Sequence, residues 1–317
     1  MDINQYKWSE TPQIRQLLIE LEAVKLVLET THIHPQLEIN LRRSALLKSA
    51  IYSARIEGFP DTEQVPRKES QNLISAYKYI SSSQVPSKLT IPLIKKLHYL
   101  GLKSLSTGAG KFRQEAWAVY ASNGNVIHLA PPFYKLPELM TQYVDYFKRN
   151  TTSIGIKAAS AQFIFEKIHP FADGNGRVGR LISSFILASS GYSFKGLVPL
   201  EEYMDSHRDD YYAALEPSHN MTDFIVFFLT SITGQVRKFI SNPDLSLPSG
   251  LETGLPLRRQ EIISVITEHP YSSFDFIYRR FAAVNPKTLH YDIQKLILGG
   301  YIKKIGTTRG VVYIVNS

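Results

Sequence analysis

Residues 169–180 read His-Pro-Phe-Ala-Asp-Gly-Asn-Gly-Arg-Val-Gly-Arg, which places a histidine, a carboxylate, a glycine-flanked asparagine and two arginines within one short stretch. Gly174 and Gly176 allow backbone conformations in which consecutive N–H groups converge on an anion, so a phosphate suits the loop. Asp173 is a hard oxygen ligand of the kind that holds Mg²⁺ on a polyphosphate, and Arg177 and Arg180 offer planar forks to phosphate oxygens. His169, an imidazole that titrates near neutrality, can take a proton from an incoming hydroxyl. The hydroxyl would then attack a phosphoryl group whose charge the arginines, metal and backbone stabilise, so the chemistry is nucleotidyl or phosphoryl transfer.

The elements that position these groups are legible on either side. Val178, Leu181, Ile182, Phe185 and Ile186 mark the buried face of a helix over Arg177 to Ser190, so the loop opens into a helix N-terminus whose dipole also favours an anion. Upstream, Ala161, Phe163, Ile164, Phe165 and Ile168 predict a second apolar helix over Ala158 to Ile168, leaving the polar loop pinned between two core helices.

The stretch resembles the signature of the Fic (Fido) family throughout: His-x-Phe-x-Asp/Glu-Gly-Asn-Gly-Arg-x-x-Arg. The resemblance implies a protein AMP-transferase that moves AMP from ATP to a Ser, Thr or Tyr hydroxyl of a target protein and releases pyrophosphate. By motif position, His169 is then the general base and Asp173 the Mg²⁺ ligand. Gly174, Asn175 and Gly176 form the anion hole around the α and β phosphates, and Phe171 anchors the loop. Arg177 contacts the phosphates, and Arg180 holds the γ-phosphate, orienting the α-phosphate for in-line attack.

Three further segments extend the resemblance. Ser53-Ala-Arg-Ile-Glu57-Gly58 closes a helical pattern through Leu46, Leu47, Ala50, Ile51 and Ala54, with Gly58 as a C′ stop. It resembles the family's inhibitory motif, Ser/Thr-x-x-x-Glu-Gly/Asn, which implies that Glu57 pairs with Arg180 where the γ-phosphate belongs. Gly110-Lys-Phe-Arg113 leads into Glu115 to Tyr120, then Asn123-Gly124 and Val126 to Leu129, a hairpin signal whose position matches the family's target-binding flap. Arg208-Asp-Asp-Tyr211-Tyr212 resembles the helix that closes the adenine pocket, with Tyr211 as the expected adenine contact. Many relatives place an asparagine eight residues beyond that tyrosine; this chain has His219 there and Asn220 next.

The 317 residues, 44% hydrophobic and 20% charged, suit a globular protein of more than one domain. No apolar stretch is long enough to span a membrane, the N-terminus lacks a signal sequence, and there is no cysteine, which excludes disulfides, zinc thiolates and thiol nucleophiles. A cytoplasmic location is expected. The expected fold class is mainly α: an N-terminal helical region (1–86) carrying the inhibitory helix, a Fic/Fido helical core with a β-hairpin flap (87–240), a linker (241–250) and a winged helix-turn-helix domain (251–317).

That last domain is read from helices over Leu257 to Glu268 and Ser273 to Phe281, then Asn285 as N-cap and Pro286 as N1 of a third helix, and two strands around Gly306 to Gly310. Lys287, His290, Tyr291 and Lys295 on the third helix, Arg309 on the wing and the net charge of +8 permit contact with DNA, while protein contact or dimerisation is the alternative. The resemblance also implies a homodimer. Two function classes stand side by side: the AMP-transferase, and a DNA-binding regulator that uses the nucleotide site as a sensor. Within the enzyme class, another nucleotide, phosphocholine transfer or removal of AMP stay open, because a phosphate nest does not read the base.

Overall fold

Thr11 and Pro12 start the first helix by satisfying its exposed end: the Thr11 side chain accepts from the Ile14 N–H at 3.1 Å, and proline at the first turn has no N–H to satisfy. The computed structural model describes residues 2–31, 33, 35–60, 67–120, 126–216, 219–241, 255–306 and 310–316. The chain forms two compact units, Met1–Asn242 and Pro243–Ser317.

In the first unit, α1 (Pro12–Thr30) buries Ile14, Leu17, Leu21, Val24 and Leu28, the spacing of one helix face. Next come α2 (Pro35–Ile56), α3 (Lys68–Ile80) and α4 (Ile91–Leu102), the last capped by Thr90. The hairpin β1 (Ala118–Tyr120) and β2 (Val126–Leu129) pairs antiparallel, Ala118 opposite Leu129. Its Asn123-Gly124 turn lies outside the described residues. The core is completed by α5 (Leu136–Arg149), α6 (Ile154–Ile168), α7 (Asn175–Ser189), α8 (Leu200–Ser206), α9 (Arg208–Ala214) and α10 (Thr222–Ile240).

The helices α6 and α7 form the central hairpin, and α6 is buried almost all round. Around it, α1 packs on α10 and α2 lies against α3 and α8. One hydrophobic cluster runs from Ile3 to Val236. The region 1–86 is part of this unit, because α1 and α2 bury apolar faces against α10 and α8 as well as against their own neighbours.

In the second unit, α11 (Leu257–Glu268), α12 (Phe274–Arg280) and α13 (Pro286–Leu298) surround Ile262, Ile266, Ile277, Leu289, Ile293 and Leu296. Asn285 caps α13 through its Oδ1, which accepts from the Lys287 N–H at 2.9 Å, with Pro286 at N1 as expected. The strands β3 (Ser272–Ser273), β4 (Ile302–Ile305) and β5 (Val312–Val315) form an antiparallel sheet in the order β3-β5-β4. The short β3 takes Ser273, which the sequence reads as the first residue of the helix and which instead caps it. Most of the 241–250 linker and Arg309 lie outside the described residues.

Candidate nucleotide site

The loop between α6 and α7 is held by its own side chains before any ligand is considered. His169 ends α6 in the left-handed region, φ 49°, with its N–H still bonded to Phe165 O at 3.0 Å. Phe171 is fully buried, its ring stacked 3.7 Å from that of His98. Asn175 bridges the loop across Phe171, donating to its carbonyl at 2.8 Å and accepting from its N–H at 2.9 Å. Its side chain is thus spent on the turn, and what it can offer an anion is backbone at the start of α7.

Two glycines of the motif are needed for different reasons. Gly174 has φ 77°, and a Cβ there would lie 2.6 Å from Leu102 Cδ1. A Cβ on Gly176 would lie 2.3 Å from Glu57 Oε1. An anionic oxygen therefore already rests against the first turn of α7, where the backbone N–H groups lack helical partners and the dipole is positive.

That carboxylate is delivered by the end of α2. Phe59 N–H bonds to Ala54 O at 3.2 Å and Gly58 N–H to Arg55 O at 2.9 Å, with Gly58 at φ 88°, which makes a Schellman stop with Glu57 as its C-cap. Glu57 Oε1 accepts from Arg180 Nη2 at 2.9 Å. The arginine is almost wholly buried and makes three further bonds: Nε to Ser53 Oγ at 3.0 Å, Nη2 to Ser53 O at 2.8 Å and Nη1 to the Tyr211 hydroxyl at 3.2 Å. Ser53 and Glu57 thus meet Arg180, more than 120 residues away in sequence, at one point.

Arg177 donates from Nη2 to both Asp173 oxygens at 3.0 Å, and its guanidinium lies over the Phe59 ring at 5.3 Å. Among the described residues its buried Nε has no hydrogen-bond partner. The Asp173 side chain is 63% exposed. One exposed carboxylate beside a phosphate cradle fits Mg²⁺, which binds through one or two carboxylates plus substrate phosphates. No group of three or more metal-ligating side chains occurs among the described residues.

The His169 ring bonds through Nδ1 to Glu166 O at 3.2 Å. A carbonyl only accepts, so Nδ1 carries the proton and Nε2 the lone pair, the tautomer a general base requires. The Trp117 ring stacks on the imidazole at 3.6 Å.

Tyr211, the expected base contact, has no face to give: it is 1% exposed, with its hydroxyl between Arg180 and Gln162. The neighbouring Tyr212 is 46% exposed and donates its hydroxyl to Ile56 O at 2.8 Å, at the end of α2. Adjacent helical residues point about 100° apart, and the phenylalanines of α10 claim the first of the pair. His219 packs its ring against Tyr6, and Asn220 Oδ1 accepts from the Thr222 N–H and hydroxyl at the start of α10.

Three residues of the site carry no sequence signal of their own. His98 accepts from Gly110 N–H at Nδ1 (2.7 Å) and therefore donates from Nε2 to Asp173 O (3.0 Å); burial, the largest cause, brings its pKa down to about 4, so it stays neutral. Glu166 has a buried Oε1 without a partner among the described residues, 2.6 Å from where a Cβ on Gly179 would lie, and its pKa is pushed up to about 8 by burial and then by the Glu57 charge. Arg113, in the segment before the hairpin, reaches the carbonyl of His169 at 2.8 Å.

Comparison with known proteins agrees with this geometry. Residues 88–187 match the Fic/DOC family. A Fido domain-containing protein of Dictyostelium discoideum is 30% identical over 152 residues, 45% of this chain and 100% of that protein. A probable protein adenylyltransferase of Aquifex aeolicus is 38% identical over 81 residues, 25% of this chain and 25% of that protein. The protein adenylyltransferase Fic of Drosophila willistoni is 34% identical over 122 residues, 23% of its length, so the chain spans about a quarter of these two relatives. In fold, a Fic family protein from Desulfovibrio desulfuricans superposes over 97% of both chains with a TM-score of 0.68 at 20% identity. Matched along the whole of the Dictyostelium protein and through the motif that builds the phosphate cradle, the chain belongs to the Fic/DOC family.

Proposed function

We propose that this protein is a protein adenylyltransferase that moves AMP from ATP to a Ser, Thr or Tyr hydroxyl of a target protein, and that Glu57 holds it inactive by occupying Arg180. The observation that carries this reading is the Glu57 carboxylate seated against Gly176 and bonded to Arg180, an anion in the place a phosphate would take. A family model and relatives named as protein adenylyltransferases support the reaction class.

In the reaction, the acceptor hydroxyl gives its proton to His169 Nε2 as its oxygen forms a bond to the α-phosphorus. The bond from that phosphorus to the bridging oxygen of the β-phosphate breaks, and pyrophosphate leaves. Backbone N–H groups at the start of α7, with Arg177, stabilise the charge on the α and β phosphates, and Arg180 holds the γ-phosphate once Glu57 has withdrawn. Asp173 would hold Mg²⁺, which would supply charge neutralisation for the phosphates. Tyr212 is the ring we assign to the base.

The test is mass spectrometry of the Glu57→Gly protein, with and without candidate targets, incubated with ATP and Mg²⁺. An adduct with the mass of one AMP, lost in Glu57→Gly/His169→Ala, is expected. Absence of adduct in Glu57→Gly would refute the transfer reading, and its survival in the double variant would refute the base assignment. Repeating the incubation with other nucleotides tests the choice of base.

A DNA contact through α13 is a second reading for the C-terminal unit. Lys287, His290, Tyr291 and Lys295 are all exposed on this helix, and Lys295 and Arg259 lie within 5.6 Å of the Tyr291 ring centroid. Salt-dependent retardation of a DNA fragment, lost in Lys287→Glu/Lys295→Glu, is the expected result; no retardation at low salt would exclude it.

A further inference from the structure

Arg113 is 5% exposed, yet its cationic side chain has no carboxylate partner among the described residues. Instead it bonds to three carbonyls from three separate segments. Nε donates to His169 O at 2.8 Å, Nη1 to Glu115 O at 2.7 Å and Nη2 to Pro131 O at 2.5 Å. Its own N–H donates to Pro170 O at 3.0 Å. Glu115 lies just before β1 and Pro131 just after β2, so one guanidinium joins the entry and exit of the hairpin to the main chain of the histidine.

Burying a cation without a counter-ion is costly, and burial holds the Arg113 guanidinium below its usual range. A lysine ammonium has the charge but not the rigid fork that meets three carbonyls at fixed angles. The hairpin root bears on the histidine at a second point as well: Ala130 N–H bonds to Trp117 O at 3.0 Å, and the Trp117 ring stacks on the His169 imidazole. Both contacts are near the one backbone position of the motif that is left-handed without being glycine.

We infer that Arg113 is a positioning residue for the transfer reaction, setting the register between the hairpin and His169, and hence between the acceptor hydroxyl and its base. It touches neither α7 nor Glu57 nor the reacting atoms, so its effect travels through the His169 carbonyl and the hairpin root. The inference rests on the transfer reading, and on the hairpin being the element that lies along the acceptor segment.

The test compares Arg113→Lys and Arg113→Gln in the Glu57→Gly protein, using a readout that needs no catalysis. Amide exchange at Ala130 should quicken about tenfold and the His169 ring titration should move, while α1 and α10 amides stay protected, establishing that the variants are folded. ATP affinity by calorimetry should stay within about twofold, whereas AMP transfer at saturating ATP should fall on the order of 100-fold, because small misplacement of a base costs that much. Unchanged exchange and titration in both variants would overturn the inference, as would an Arg113→Lys protein that transfers at the parent rate. So would a loss of ATP affinity matching the loss of transfer, which marks a general structural role. If the exchange and titration change while the Glu57→Gly parent forms no adduct, the transfer reading falls and takes the catalytic role with it, leaving only Arg113's hold on His169 and the hairpin root.

Discussion

Replacing Glu57 by glycine removes one competitor for Arg180 and leaves the arginine in place, since its bonds to Ser53 Oγ, Ser53 O and the Tyr211 hydroxyl do not involve the carboxylate. The lost contact is a charge-assisted hydrogen bond of 2.9 Å between a side chain 1% exposed and one 24% exposed. Bonds of this kind contribute about 1.5–3 kcal/mol, equivalent to roughly 10- to 150-fold in an equilibrium. If ATP must displace Glu57 to bind productively, its apparent affinity is reduced by that factor, and Glu57→Gly restores it. Calorimetric titration with Mg²⁺-ATP should therefore tighten by about 10- to 150-fold, and labelling from α-labelled ATP at low nucleotide should rise by a similar factor. Glu57→Gln, which keeps the shape and an accepting carbonyl but not the charge, should fall between the two proteins. Equal ATP affinity and labelling in wild type and Glu57→Gly would refute the competition, whatever the contact distance.

The remaining expectations concern neighbours of the same turn. Gly176→Ala places a methyl group where the Glu57 oxygen now lies, so transfer should drop by on the order of 100-fold even in the Glu57→Gly background; retained transfer would show that the cradle has room to spare. Tyr212→Ala should weaken nucleotide binding by about 1–3 kcal/mol, a usual loss for a base-stacking ring, as measured by calorimetry in the Glu57→Gly protein. Tyr211→Phe in the same assay removes only the hydroxyl that accepts from Arg180 and Gln162 and should leave adenosine binding unchanged; unchanged nucleotide binding in Tyr212→Ala would remove the base contact from Tyr212. Because the Glu166 pKa is raised from 4.5 to about 8, the folded protein keeps a proton that the unfolded chain has released, so this carboxyl lowers stability as pH rises through that window. The slope approaches 1.4 kcal/mol per pH unit, about the value for one proton, and the Tm of Glu166→Gln should fall less steeply between neutral pH and 8 than that of wild type; parallel curves would exclude the buried proton.

Much of the candidate site's local geometry was legible because it depends on neighbouring residues. His169, Asp173, Arg177 and Arg180 sit on one loop and one helical turn, and a helix N-terminus after two glycines accepts anions wherever it is found. The Gly58 stop of α2 and the Asn285-Pro286 start of α13 were equally local, as each reflects hydrogen bonds within a few residues. Asn175 shows the limit of such reasoning: the motif places it in the anion hole, but whether its amide turns outward or back onto Phe171 depends on how the loop closes.

Other parts depended on distant segments. The Tyr211–Tyr212 pair has the same side chain at both positions, and the packing of α10 chose which one is buried. His98, Arg113 and Glu166 have roles defined by Asp173, His169, Pro131 and Gly179, none of them near enough in sequence for spacing to announce the contact.

By itself the sequence pointed to the family and to groups suited to holding phosphate, because those signals belong to residue types at short, fixed spacing. The Glu57–Arg180 contact that the inhibitory motif implied is present in the folded chain, whereas the tertiary structure alone decided that an arginine ahead of the hairpin holds the histidine's main chain. Contacts across such sequence separations exist only once the helices have packed, since it is the burial of their apolar faces that brings these polar ends together.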